Sequence, residues 1–192
     1  MSEILWPKKE MKAFAQVEGA ENFYKPFLFL GPNSANAEVF KAGADRLIEV
    51  RLSKTYREDR DVMLLPIVYL YRHAIEVRLK EIIRLGIARK FFEKSEVENL
   101  WTQVRRLLDD CFAKEDPAPT DSVGEIIMEI HEADPFDQAF RYDRDRDGKP
   151  HRHETLPDAM GVEHLRDVTN AVWNYLTSSI DIISEESQHG DV

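Results

Sequence analysis

The stretch 64–86, LLPIVYLYRHAIEVRLKEIIRLG, is the sequence feature that most constrains the fold of this chain. Large apolar side chains recur there at helical spacings of three, four and seven residues: Leu65, Val68, Ile75, Leu79, Ile82 and Ile83. Asp59 or Asp61 is a suitable start for this helix, and Gly86 marks its end. Pro66 lies in the early turns, where a missing N–H is tolerated best. Because such a helix must bury its apolar side, the stretch predicts helices packed against one another.

Four other segments are predicted to be helical. The first helix of the chain is expected to bury one apolar side, which consists of Val39, Ala42, Leu47 and Val50. A capping box formed by Ser95 and Glu98 is expected to open the third helix. The remaining predicted starts are Ser34 or Asn36 for the first helix, Thr120 or Asp121 for the fourth, and Pro157 for the last.

The connections between these segments are short, and long helices with short connections pack as antiparallel neighbours. The predicted fold class is therefore all-α, an up-and-down bundle of four to five long helices. Residues 1–33 contain Pro7, Pro26 and Pro32 and are expected to form an irregular N-terminal lead-in. Residues 34–186 are expected to form a single helical-bundle domain, and 187–192 a frayed tail.

Charge and composition limit the kinds of partner. The 192 residues carry a formal net charge of −10, so no broad DNA-binding surface is expected, because nonspecific affinity comes from neutralised phosphates. No apolar run approaches the roughly 20 residues that a membrane span needs, and the N-terminus lacks the pattern of a secretory signal. Cys111 is the single cysteine, which suits a reducing compartment. These features predict a cytoplasmic protein with no membrane partner.

Residues 140–154, FRYDRDRDGKPHRHE, have the spacing of a calcium-binding loop. The pattern D-x-D-x-D-G-x5-E is matched by Asp143, Asp145, Asp147, Gly148 and Glu154. Carboxylates suit a hard cation, and the glycine permits a sharp turn. Pro150, however, stands where paired calcium loops need a backbone donor, and the sequence holds no second loop. The sequence therefore predicts no cofactor, and a calcium ion bound by this loop is the alternative.

A polar stripe follows one face of the helix predicted at 64–86. Arg72 and Glu76, and then Glu76 and Lys80, are four residues apart, and His73 lies beside them. Opposite charges at this spacing meet on a helix surface and contribute a few tenths of a kcal/mol per exposed pair. The stripe is then either a solvated set of ion pairs or the surroundings of a partly buried Glu76, which would need a cationic partner.

Three segments carry a family resemblance: LLPIVYLYRHAIEVRLKEIIRLG at 64–86, ENLWTQVRRLL at 98–108 and AFRYDRDRDG at 139–148. Together they resemble the HEPN superfamily, and within it a bacterial group with an F-R-Y-P-x-D-x-x-G segment. Asp143 stands where that group has proline, and Asn99 where it has histidine. The resemblance implies a helical bundle, commonly a homodimer, in a family rich in toxins, defence proteins and RNA-cleaving domains.

The resemblance also implies a catalytic motif, an arginine and a histidine separated by four to six residues, with a polar residue after the arginine. Arg146 and His151 match it with four intervening residues, and Asp147 follows the arginine. Arg144 with His151, or Arg146 with His153, matches it with six. A glycine and a proline separate the pair, so the motif does not lie on a regular helix.

The chemistry of this motif is metal-independent cleavage of RNA. His151 is the candidate acid and base, because the unperturbed pKa of histidine is near neutrality. Arg146 is the candidate phosphate clamp, because its planar fork binds two oxygens. Asp147 is the candidate orienting partner.

The loop also has a structural interpretation. By the resemblance Arg141 would pair with Glu76, and Asp145 would help Gly148 to shape a turn. The predicted structural polar cluster consists of Arg72, His73, Glu76, Lys80, Arg141 and Asp145.

Three functions stay open. The first is an RNA-directed protein of the defence or toxin type, a homodimer with a metal-independent endoribonuclease site. The second is a non-catalytic module of the same fold that binds a protein, such as an antitoxin, or a nucleotide. The third is a single calcium-binding loop.

Overall fold

Five α-helices make up the regular structure of the part of the chain that the computed structural model describes. That part comprises residues 36–53, 63–88, 99–111, 116–134, 140, 144, 147–149 and 160–186. The helices are α1 (Asn36–Leu52), α2 (Leu64–Ala88), α3 (Leu100–Cys111), α4 (Ala118–Ala133) and α5 (Val162–Glu186). The predicted all-α bundle is confirmed. The predicted lead-in at 1–33 and the tail at 187–192 lie outside the described residues.

The apolar side of α2 forms the centre of the bundle. Ile75, Leu79 and Ile82 of this helix are almost completely buried and belong to the largest core cluster. Their partners from the neighbouring helices include Val104, Leu107, Leu108, Val172 and Leu176. Each fully buried leucine or isoleucine contributes roughly 1.5–3 kcal/mol. Leu65 was predicted to face inward, but it is 42% exposed because it lies in the first turn of α2, beyond the packed part of the helix.

The side of α1 that packs on α2 differs from the prediction. Ala37, Ala44 and Ile48 are fully buried, whereas Ala42 and Val50 are exposed. Polar contacts account for this orientation. The buried Tyr71 hydroxyl donates to Asp45 Oδ1 at 2.5 Å, and burial and this hydrogen bond raise the pKa of the phenol.

The directions of the helices follow from these contacts. On α1 and α2, Asp45 meets Tyr71 and Glu38 meets Arg78, so the two helices are antiparallel. On α5, Arg166 and Asp167 lie near Tyr71, and Trp173 lies under Arg78. A step of seven residues on α2, from 71 to 78, thus matches a similar step on α5, from 166 to 173. The two helices therefore run in the same direction.

α3 begins with a side-chain cap. The Asn99 carboxamide oxygen accepts from the Thr102 backbone N–H at 2.8 Å and from the Thr102 hydroxyl at 3.0 Å. Asparagine is among the best residues for this role, because its oxygen satisfies an N–H that has no partner within the helix. Asn99, one of the two departures from the pattern that the sequence resembles, is therefore the cap of α3. The predicted capping box at Ser95 and Glu98 lies outside the described residues.

α3 and α4 pack closely because Gly124 has no side chain. The indole of Trp101 lies against its Cα, and the two helices also share an ion pair between Arg105 and Asp121. At the start of α4, Thr120 shares a hydrogen bond of 2.5 Å with the Tyr175 hydroxyl of α5. Among the described residues, no helix is both long and apolar enough to cross a membrane.

Candidate functional site

The polar stripe on α2 is a chain of ion pairs centred on Glu76. Lys80 Nζ lies 2.5 Å from Glu76 Oε1, and Arg72 Nη1 lies 3.4 Å from Glu76 Oε2. His73 Nδ1 is 4.0 Å from the same Oε2. The Glu76 side chain is 26% exposed, so the stripe lies at the edge of the bundle, between the two interpretations that the sequence allowed.

The charges around Glu76 control its protonation. Burial would raise the pKa of this carboxyl, but the hydrogen bond from Lys80 and the charges of Lys80, Arg72 and His73 outweigh it and lower the pKa. Glu76 is thus a carboxylate near neutral pH and has no proton to donate. Its chemistry suits the orientation of cations rather than acid catalysis.

We expect Glu76→Gln to lower the free energy of unfolding by about 0.5–1 kcal/mol at pH 7. A carboxyl whose pKa is lower in the folded protein stabilises above its unfolded pKa and loses that contribution as the pH falls through the folded value. The difference from wild type is therefore expected to shrink below about pH 4. Urea titrations between pH 3 and pH 8 measure it. Glu129→Gln, at an exposed position of α4, is the control, and an equal loss in both variants would contradict the account.

The imidazole of His73 is packed between two aromatic rings. Phe40 meets it edge-on with centroids 4.4 Å apart, and Tyr69 stacks on it at 5.9 Å. Its Nδ1 is buried and makes no hydrogen bond. These ring contacts indicate a packing role for His73, in which the imidazole closes the gap between α1 and α2.

Arg72 reaches beyond its own helix. Its Nη2 donates to the backbone oxygen of Asp134 at 3.1 Å, at the point where α4 ends. The Arg72 side chain is 11% exposed, and Asp134 is 1% exposed. This contact joins the polar stripe to the residue from which the chain continues toward the candidate loop.

Five residues of the candidate loop are described. Phe140 is buried, whereas Arg144, Asp147, Gly148 and Lys149 are exposed. Gly148 has a φ of 77°, in the left-handed region that favours glycine, and Arg144 Nη1 donates to its carbonyl at 2.8 Å. The turn expected at Gly148 is therefore present, at the surface, beyond a buried aromatic anchor.

Asp147 and the alternate Arg144 are the described members of the predicted catalytic set. The remaining predicted catalytic, cluster and calcium residues lie outside the described residues: Arg146, His151, His153, Arg141, Asp145, Asp143 and Glu154. Within the described part of the chain, no group of three or more His, Cys, Asp or Glu side chains could hold a metal ion.

A second polar cluster, centred on Arg78, was not predicted from the sequence. Arg78 is 9% exposed, pairs with Glu38 at 2.6 Å and Glu81 at 3.0 Å, and lies 4.2 Å from the ring centroid of Trp173. Burial raises the pKa of Glu81, although Arg78 opposes the shift. The spacing contained the clue, because Arg78 follows Tyr71 by seven residues on the buried face of α2.

No protein-family model matches this chain, and no curated protein or solved structure is significantly similar to it.

Proposed function

We propose that this chain is a HEPN-like, RNA-directed protein of the bacterial defence or toxin type. In this proposal the loop at 140–154 contains a metal-independent endoribonuclease site. The all-α bundle suits that family. The observation that carries the proposal is the exposed turn at Gly148, with charged Arg144, Asp147 and Lys149 around it, held beyond the buried Phe140.

The proposed reaction needs no group from outside the chain. His151 removes the proton of an RNA 2′-hydroxyl as its oxygen attacks the adjacent phosphorus. The bond from phosphorus to the 5′-oxygen breaks, and that oxygen takes the proton from the His151 imidazolium, which returns to its neutral form. Arg146 stabilises the negative charge on the phosphoryl oxygens, and Asp147 orients the arginine or the histidine. The products are a 2′,3′-cyclic phosphate and a free 5′-hydroxyl.

The charge of the protein restricts how RNA would bind. With a net charge of −10, the chain cannot coat RNA, so contact would be confined to the basic residues of the loop. A homodimer in the cytoplasm, with two such loops facing one strand, belongs to the same proposal. Sedimentation velocity tests the dimer, and a monomer at all concentrations would exclude a composite site.

We expect Arg146→Ala and His151→Ala each to reduce cleavage of a labelled single-stranded RNA by at least about 100-fold in EDTA. Arg84→Ala and His164→Ala are matched controls, because both residues are exposed on helices outside the residue range of the loop, and they are expected to cleave like wild type. Unchanged cleavage in the Arg146 and His151 variants would reject the site.

The α2 stripe favours a second function, a non-catalytic interaction module of the same fold. Its carboxylate and its cations already pair with one another, so the stripe resembles an internal support rather than a reacting centre. In that case wild type would bind a protein or nucleotide partner without cleaving RNA. Fluorescence anisotropy with the labelled RNA separates binding from cleavage.

Calcium binding is the third possibility. The left-handed φ of Gly148 suits the sixth position of a calcium loop as well as an ordinary turn. Calorimetry with millimolar calcium decides it, because absence of heat would remove this function while leaving the other two.

A further inference from the structure

Arg72 connects α2 to the end of α4 through a hydrogen bond to a backbone oxygen. Its Nη2 lies 3.1 Å from the carbonyl oxygen of Asp134, a residue 62 positions further along the chain. The backbone N–H of Asp134 bonds to the His131 oxygen at 3.1 Å and closes the last turn of α4. The contact is therefore made to the residue that terminates the helix.

The end of a helix is a natural target for a guanidinium. The last carbonyls of an α-helix have no partner within the helix, and the helix dipole places partial negative charge on them. Pro135 follows directly, so the helix cannot continue and Asp134 leaves the helical region with φ −150° and ψ 74°. Arg72 thus stabilises the position at which the chain turns away from α4.

The orientation of Arg72 is set from its own helix. Glu76 accepts from Arg72 with Oε2 and from Lys80 with Oε1, so the carboxylate is held between two cations. We call the series Lys80, Glu76, Arg72 and the Asp134 carbonyl the Arg72 brace. Because a guanidinium donates in a fixed plane, a carboxylate on one edge directs the other edge toward the carbonyl.

The chain beyond the Arg72 brace leads to the candidate loop. Six residues after Asp134, Phe140 is again buried, and the exposed turn at Gly148 follows. Two buried residues, Asp134 and Phe140, therefore precede the exposed turn of the loop. Asp134 is held by Arg72, a charged side chain from another helix. A shift of about 1 Å at such a support can cost a site on the order of 100-fold in rate.

We propose that Arg72 is a positioning residue for the candidate RNA-cleaving loop: it fixes the residue at which the chain leaves α4 and continues toward the loop. The catalytic part of this inference rests on the proposed function. The structural part does not, because it concerns the end of α4 and Phe140 alone.

Hydrogen exchange tests the structural part. In Arg72→Ala and Arg72→Gln, we expect amide exchange in peptides covering 130–140 to rise by roughly tenfold, with smaller changes in α3 and α5. Arg72→Lys keeps the charge without the planar fork and is expected to give an intermediate rise. Arg84→Ala, an exposed arginine on the same helix, is expected to exchange like wild type.

A general loss of stability must be separated from a local one. Val104→Ala removes two buried methyl groups from α3 and lowers stability without touching the Arg72 brace. It is expected to leave the exchange at 130–140 close to that of wild type under native conditions. Equal exchange at 130–140 in the Arg72 variants and wild type, or an equal rise in Val104→Ala, would overturn the inference.

RNA cleavage tests the catalytic part. Arg72→Gln is expected to lower kcat by about tenfold or more while KM changes by less than about twofold, because Arg72 does not contact the substrate. A rise in KM alone would mean that Arg72 binds RNA, and unchanged kinetics would reject a positioning role. If wild type does not cleave RNA, the proposed function and this part fail together, while the exchange result still decides the role of Arg72 in the fold.

Discussion

Arg78→Ala is expected to lower the free energy of unfolding by about 2–3 kcal/mol at pH 7. Arg78 is nearly buried among Glu38, Glu81 and the ring of Trp173. Its loss removes the cation–π contact and leaves the Glu81 carboxylate, which is 22% exposed, without its close counter-charge. Glu38 is 54% exposed and is expected to lose little, because water can solvate it.

The loss in Arg78→Ala is expected to depend on pH. Burial already raises the pKa of Glu81, and removal of Arg78 takes away the charge that opposes this shift. A carboxyl whose pKa is higher in the folded protein destabilises as the pH rises from its unfolded value through the folded one. The loss is therefore expected to be larger at pH 7 than at pH 4, as measured by urea titration.

Two variants test whether the unpaired carboxylate is the cause. Arg78→Met keeps an apolar stem against Trp173, and the double variant with Glu81→Gln also removes the charge left behind. The double variant is expected to recover most of the stability, since replacing both partners costs less than breaking the pair. Arg46→Ala, at an arginine whose side chain is 79% exposed, is the control. A loss below about 0.5 kcal/mol in Arg78→Ala would contradict this account of the cluster.

Gly124→Ala is expected to lower the melting temperature by about 5 °C, or roughly 1–2 kcal/mol. A Cβ at this position would lie 2.6 Å from Trp101 Nε1 and 3.0 Å from Cε2. Trp101 is itself buried, so the indole must move to relieve the overlap. The cost exceeds the gain in helix propensity, which is about 1 kcal/mol for glycine to alanine.

Gly43→Ala is the matched control for this prediction. A Cβ there would lie 3.7 Å from Leu70 Cδ1, which is ordinary contact, and the residue is within α1. The same glycine-to-alanine substitution at position 43 is therefore expected to raise the melting temperature by a few degrees. Thermal unfolding followed by circular dichroism compares the two. Equal effects of the two substitutions would show that Trp101 does not confine Gly124.

The fold was predictable where one helix carries its own signal. The spacing of Ile75, Leu79 and Ile82 predicted both α2 and its buried side, because burial of apolar side chains stabilises such a helix more than any other interaction. The orientation of α1 was not predictable from its apolar residues. It depends on Asp45 and Glu38, which meet Tyr71 and Arg78 of another helix, and such partners cannot be found from periodicity within α1.

The local contacts of the candidate site were predictable from the sequence, whereas its contact between distant residues was not. The pairs of Glu76 with Arg72 and Lys80 follow from local spacing, and the turn at Gly148 follows from the freedom of glycine to adopt positive φ. The contact of Arg72 with Asp134 could not be predicted, because it joins residues 62 positions apart and ends on a backbone oxygen that any residue would supply.

The chemistry of the RNA ends tests the central claim most directly. Purified wild-type protein is incubated with a labelled single-stranded RNA in EDTA, and the new ends are identified by mass spectrometry. The account predicts cleavage that leaves 2′,3′-cyclic phosphate and 5′-hydroxyl ends, and the loss of these products in His151→Ala. RNA left intact, or cleavage that needs a divalent cation and leaves 5′-phosphate ends, would contradict it.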